Sequence, residues 1–310
     1  MRPPRNDNYN IPMPELPEVE TIRQDLRKKL LHKKITEVQI FFDKVVGGKK
    51  KETTKSLLHN SFSEVDRIGK LLIFRLEKGD EVLLLHLKMT GQLIYLIKDH
   101  IFAGGHSFAL SFTPPAGGGA GGGGSGLPNK YTQIMITFAD HSKLFFNDSR
   151  RFGYAKIIPA DKLESVFLKF GPEPLQKNFT FEKFSELLKK KKMNVKALLL
   201  NQQLIAGIGN IYADEICFDA KVLPTRRTTS LSDSDIKQLF HSTLKILKKA
   251  IEYRGTTFND YVDSEGKKGN FSHLLKVYER DGERCKRCKG VIMKKKVAGR
   301  GTHVCLSCQK

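Results

Sequence analysis

Four of the five cysteines in this 310-residue chain are spaced as metal ligands. Two residues lie between Cys285 and Cys288, as between Cys305 and Cys308, and sixteen residues separate the pairs. Two tight turns that each present two thiolates suit a tetrahedral ion, and this is the spacing of a four-cysteine zinc ribbon. The segment is too polar to bury a core of its own, so one bound zinc is expected to supply folding energy that the sequence lacks. Four thiolates leave the ion no open position, which makes it structural. Cys217, alone in IYADEICF, reads as a small buried apolar residue.

Three other stretches carry chemistry. In AGIGN the glycines at 207 and 209 permit a closely approached backbone, and Asn210 is expected to cap the helix behind it, whose free N–H groups suit a phosphate. Residues 148–153 read DSRRFG and set Arg150 and Arg151 beside Phe152 at a strand end. Arginine reads base edges and phenylalanine wedges into a base stack, which is the equipment of a protein that distorts a duplex. Met89 in HLKMTG is a second wedge candidate, with an ordinary core methionine as the plainer reading. At 13–20 the string MPELPEVE places prolines among acids, which suits the approach to a helix rather than its interior.

The elements that must position these residues fall into two groups. Apolar spacing over 16–31 predicts a helix with Val19, Ile22, Leu26 and Leu30 on one face. From about 35 to 158 follow short β-rich runs (ITEVQIFF, LLIFRL, EVLLLHLKM, LIYLI, QIMITF, KLFF), which predict a β-sandwich or barrel-like domain. The stretch AGGGAGGGGSG interrupts it with eight glycines in eleven residues, and strands on both sides make it an excursion within that domain. Past Pro174 helices are predicted over 181–191, 195–201 and 210–218, then a long amphipathic one ending near Gly255. The fold class is α+β.

Lys plus Arg number 54 against 33 Asp plus Glu, a net charge of +21, far more than solubility needs. Residues 267–310 hold thirteen of these cations and three acids. A polyanion is the expected partner, and nucleic acid is the commonest one. The run at 189–192 with Lys196 is, taken alone, a solvated helix face. No apolar stretch is long enough for a membrane span and the first residues lack a secretory core, so a cytoplasmic protein is expected.

In order along the chain, MPELPEVE, IGKLLIF, HLKMTG, SRRFG, GPEPL, AGIGNIYADE and GRGTHVCLSCQK closely resemble bacterial formamidopyrimidine-DNA glycosylase, the repair family that removes oxidised purines. The resemblance runs from 13 to 310, leaving out the first 12 residues and the glycine insert. The start MPELPEVE favours this branch over the endonuclease VIII branch, which attacks oxidised pyrimidines. The resemblance implies a catalytic β-sandwich over 13–160 with an insert at 103–128 and a helix-two-turns-helix domain over 161–262. A lesion-recognition loop over 263–274 and a zinc finger over 275–310 would complete it. It implies a monomer acting in the bacterial nucleoid on double-stranded DNA with oxidised purines or abasic sites.

The residue roles that follow are also what the resemblance implies. Pro14, exposed as the N-terminus once the methionine is removed, would be the nucleophile, because a secondary α-amine is partly neutral at pH 7 and forms an iminium with sugar C1′. Glu15 would assist ring opening and proton transfer, a task for a carboxyl with a raised pKa. Lys70 matches the catalytic lysine, and Arg300 the arginine that binds the lesion phosphate and assists the second elimination. Met89, Arg150 and Phe152 match a trio that fills the void left by a flipped base, and Asn210 a phosphate contact. Lys191 falls near a DNA-binding lysine, and Lys267 lies in the loop that covers the lesion. The pattern is departed from at Ser149, where a proline is usual and the turn is expected to loosen, and at Tyr131, where a DNA-contacting histidine is common. The largest departure is the twelve residues before Met13. They make the Pro14 nitrogen an amide, so synthesis is expected to begin at Met13, with removal of the leader as the alternative route to a free Pro14; failing both, the chain would be a non-catalytic binder of damaged DNA.

Overall fold

The computed structural model describes residues 13–98, 100–105, 126–256 and 271–310. The leader 1–12, most of the glycine insert and Lys267 lie outside them. Helix α1 (Leu16–Leu30) carries Pro17 in its first turn and Arg27, Lys28 and Lys29 in its last, both favourable placements for a helix end. Its predicted face is the buried one, with Val19, Ile22, Leu26 and Leu30 at 5% exposure or less.

Two antiparallel sheets follow. The first has the order β1 (Ile35–Ile40), β7 (Thr132–Phe138), β8 (Lys143–Asp148), β5 (Gly91–Ile97), β6 (His100–Gly105). The second runs β2 (Phe62–Ile68), β3 (Leu71–Leu76), β4 (Glu81–His86), β9 (Tyr154–Pro159). Phe62, Leu72, Phe74, Leu83 and Leu85 from one sheet pack on Leu93, Tyr95, Ile136, Leu144 and Phe146 from the other, giving the expected β-sandwich core. Both faces of β3 are covered, since Leu71 and Ile73 meet Leu163 of α3 (Leu163–Phe167) and Phe170 on the far side, so LLIFRL reads as one apolar run. Strands β2 and β9 were not signalled by the sequence. Both are edge strands with many half-exposed positions, and their apolar alternation is correspondingly weak. Helix α2 (Lys50–Leu57) buries only Thr53 and Leu57 and likewise shows no stripe. Strands β6 and β7, which flank the insert, both belong to the first sheet, so the chain leaves and re-enters one sheet around it; residues 103–105, expected in the insert, instead complete β6.

The helical half contains α4 (Phe181–Lys190), α5 (Val195–Leu200), α6 (Asn210–Asp219) and α7 (Asp233–Glu252). Ser232 caps α7 in a reciprocal box with Asp235, and Thr180 caps α4. Helix α6 is buried along 211–218 and has no polar face, because α5, α7 and the ribbon enclose it. The ribbon hairpin pairs β10 (Met293–Val297) with β11 (Arg300–Val304), and Phe218 of α6 joins Val277, Ile292, Cys285 and Cys305 in its small core. Among the described residues no helix is long and apolar enough to cross a membrane.

Candidate active site

Helix α6 organises the cleft. Its N-cap is Gly209, not Asn210 as the sequence suggested, and Asn210 is the first helical residue. Two of the free N–H groups of its first turn are already taken: Ile211 and Tyr212 donate to the Glu15 carboxylate at 2.9 and 3.3 Å. The anion at this helix start is therefore a side chain of the chain itself. The glycines are required by that approach. A Cβ on Gly209 would lie 2.2 Å from Glu15 Cδ, and one on Gly207, whose φ is +93°, 2.5 Å from Leu16 Cδ1. Asn210 turns its side-chain amide to the Gly301 carbonyl at 3.1 Å.

Glu15 is 2% exposed, and the backbone N–H of Glu15 donates to Glu18 Oε2 at 2.9 Å. Burial, opposed by the nearby Lys70 ammonium and reinforced by Glu18, pushes the Glu15 carboxyl up to about 7. Lys70 is buried as well, and loss of hydration holds its ammonium below the ordinary lysine range despite Glu15 and Glu18. It occupies the turn between β2 and β3 beside Gly69, whose N–H donates to Glu173 at 2.7 Å. Arg67 joins Glu173 and Glu20, each at 2.7 Å, and so fixes this turn against α1 and the GPEPL segment. Glu18 Oε1 accepts from Tyr212 Oη at 2.7 Å and from the Thr256 N–H at 2.8 Å.

These groups border a cleft of about 540 Å³ lined by Met13, Glu15, Lys70, Met89, Asn210 and Arg300, and by His86, Lys88, Gln202 and Tyr278. Pro14 is buried between Met13 and Glu15. Sequence reasoning missed His86, although it opens the HLKMTG motif. Its Nδ1 accepts the Lys88 N–H at 2.9 Å, and burial with the neighbouring Lys88 and Lys70 drives it down to about 3, so the ring is neutral. Gln202 was missed too; it braces the glycine turn through the Gly207 N–H and the Ile208 carbonyl at 2.7 and 2.8 Å.

Arg150 and Phe152 stand beside the cleft rather than in its wall. Arg150 lies over the Phe152 ring at 4.8 Å and reaches Met89 Sδ at 3.5 Å, so the expected trio is one cluster, with Phe152 53% exposed. The Asp148 carboxylate accepts from the N–H groups of Arg150 and Gly153 at 3.1 and 2.7 Å and pairs with Thr90, which orders the turn at Ser149. Tyr131 is half-buried under Lys130 and takes no part in the cleft lining. Lys191 is exposed at the end of α4 and is also absent from the lining. Lys196, five residues on, is fully buried against Asp214 at 2.6 Å.

The four thiolates converge, with all Sγ atoms within 4.8 Å of one another, Cys285 and Cys308 at 3.8 Å and Cys288 and Cys305 at 3.4 Å. Tetrahedral zinc with bonds near 2.3 Å needs sulfur separations of about 3.8 Å, so the donor set fits the ion in kind and in spacing. Cys217 is fully buried, and burial pushes its thiol well up, as expected of a packing residue.

Comparison with known proteins agrees with this layout. Residues 13–155 match the sequence profile of the formamidopyrimidine-DNA glycosylase N-terminal domain. Residues 170–262 match its H2TH domain, and 282–310 the zinc finger found in FPG and IleRS. The chain is 40% identical to the formamidopyrimidine-DNA glycosylase of Carboxydothermus hydrogenoformans over 96% of its own length and all of the relative's. It is 37% identical to that of Streptococcus mutans, with the same coverage. The Lactococcus lactis Fpg in complex with abasic-site DNA superposes with a TM-score of 0.81 at 34% identity, covering 96% of this chain and 99% of that one.

Proposed function

The chain belongs to the formamidopyrimidine-DNA glycosylase family, and from that membership and the cleft chemistry we propose that it removes oxidised purines, 8-oxoguanine and formamidopyrimidines, from double-stranded DNA and then cuts the strand at the abasic sugar. The observation that carries the proposal is the Glu15 carboxyl, adjacent to Pro14 and lifted to about 7 beside a buried lysine. A carboxyl that keeps its proton near neutrality can protonate the sugar ring oxygen as the bond from C1′ breaks.

The proposed sequence uses these groups in turn. The Pro14 amine attacks C1′, the base leaves with a proton, and an iminium joins protein and sugar. The iminium acidifies the C2′ proton, so a base can remove it and expel the 3′ phosphate; a second elimination expels the 5′ phosphate. Lys70, held below its usual range, is the buried amine suited to proton movement at this centre. Arg300 binds the phosphate that leaves second, and Asn210 and Lys70 hold the others. The target must first leave the stack, and Arg150, Met89 and Phe152 would occupy its place, with Arg150 hydrogen-bonded to the widowed cytosine. Lys191 and Tyr131 are offered as peripheral DNA contacts, and Lys267 as part of the loop that covers the everted base. One zinc held by Cys285, Cys288, Cys305 and Cys308 would keep the Arg300 hairpin folded.

This chemistry needs Pro14 as a free secondary amine, so the active form we propose begins at Pro14. Borohydride should then trap a covalent protein–DNA adduct on 8-oxoguanine duplex with the form starting at Pro14, and not with the form that retains the leader. No adduct from either form, together with tight binding to an abasic analogue, would establish a non-catalytic damage binder instead.

A further inference from the structure

Arg300 sits at the start of β11 with its side chain exposed, and among the described residues it makes no ion pair. A two-stranded ribbon is marginal by itself, so the direction in which it presents Arg300 depends on what holds the next residues. The three that follow are each sewn to the helical domain. The Gly301 carbonyl accepts from Lys196 Nζ and from Asn210, both at 3.1 Å. Thr302 Oγ1 accepts from Lys196 Nζ at 2.8 Å. The His303 backbone N–H donates to Asp214 Oδ2 at 2.8 Å, and its Nδ1 lies 3.2 Å from the same oxygen. Asp214 Oδ1 takes the remaining Lys196 proton at 2.6 Å. Lys196, Asp214 and Thr302 are 0% exposed and His303 is 3% exposed, so no water substitutes for these bonds.

We infer that Asp214, acting through Lys196 and His303, is the positioning residue that aims Arg300 at the phosphate departing in the second elimination. The inference rests on the proposed lyase chemistry for its consequence, but the geometry stands apart from it. Glu15 hangs from the same helix two and three residues earlier, through Tyr212 and Ile211, and shares no bond with Asp214. Loosening the clamp should therefore leave base removal and the first elimination in place while the second fails.

The test uses the zinc-loaded chain beginning at Pro14 and an 8-oxoguanine duplex. In Asp214→Asn the second elimination should slow about 10- to 100-fold, since a misplacement of about 1 Å can cost about 100-fold, and products ending at the first cut should accumulate. Because removing one partner of a buried pair can unfold a protein, the double variant K196M/D214L, which replaces the pair with apolar groups, serves beside it. An unchanged ratio of first-cut to second-cut product in a folded, zinc-loaded variant would overturn the inference. So would an equal loss of every step, the mark of a merely structural role. Hydrogen exchange at residues 299–303 reads the clamp whatever the reaction. Faster exchange there, with the cysteine turns unchanged, supports the clamp, and unaltered exchange refutes it. A parent protein that cuts nothing would count against the lyase reading and leave the exchange result to decide this one.

Discussion

Glu15→Gln in the 310-residue chain separates the cost of the Glu15 carboxyl from its use. In the folded protein burial holds the Glu15 proton up to about 7, whereas an exposed carboxyl loses it near 4.5. The folded state therefore binds the proton more tightly than the unfolded chain. Stability associated with this group is full below about pH 4.5, falls as pH rises, and levels off above about pH 7. At about 1.4 kcal/mol per pH unit, the loss amounts to about 3 kcal/mol. Glutamine has no proton to lose and keeps one oxygen to accept from Ile211. The stability of the glutamine variant relative to the parent should thus rise by about 3 kcal/mol between acid and mildly alkaline pH. In the form starting at Pro14, base excision should meanwhile fall by about 10²- to 10⁴-fold, the usual worth of a general acid. Urea unfolding of both proteins at half-unit pH steps from 4.5 to 8 measures the gap. Parallel stability curves, or a gap widening in favour of the parent, would refute the burial argument and with it the assignment of Glu15 as the acid.

Other outcomes follow from the same geometry. Chelation of the metal, or Cys305→Ser, should unfold the ribbon and abolish strand cutting, and metal analysis should give one zinc per chain; full activity without zinc would exclude the structural role. Phe152→Ala should shift stability by no more than about 0.5 kcal/mol, because the ring is 53% exposed, yet weaken binding to an abasic duplex by about 10-fold or more in a titration. Lys196→Ala leaves Asp214 buried without its cation and should cost about 3–5 kcal/mol in a denaturant melt, while Lys191→Ala should cost almost nothing; similar costs would contradict the burial difference.

The lysine pair shows where sequence reading stopped. Lys189, Lys190, Lys191, Lys192 and Lys196 form one basic run, and nothing local distinguishes the last. Lys196 differs because α5 packs against α6, which brings Asp214 beneath it, whereas Lys191 is the exposed residue that ends α4. Asn210 is a similar case. Its residue type favours capping, but Gly209 takes that position because Glu15 must come within hydrogen-bond reach of the helix start. The zinc ligands were legible because their geometry is set by spacing within two short turns, and the glycines at 207 and 209 because close approach leaves no room for Cβ.

By itself the sequence determined the α+β division, the four thiolates and the residues carrying the family resemblance. All of these depend on residue type and short-range order. Only the tertiary structure decided that Glu15 keeps its proton near neutrality, that His86 is neutral, and that Lys196 is a strut. Charge state and role there depend on burial and on partners such as Ile211, 196 residues away from Glu15, and no local spacing encodes these.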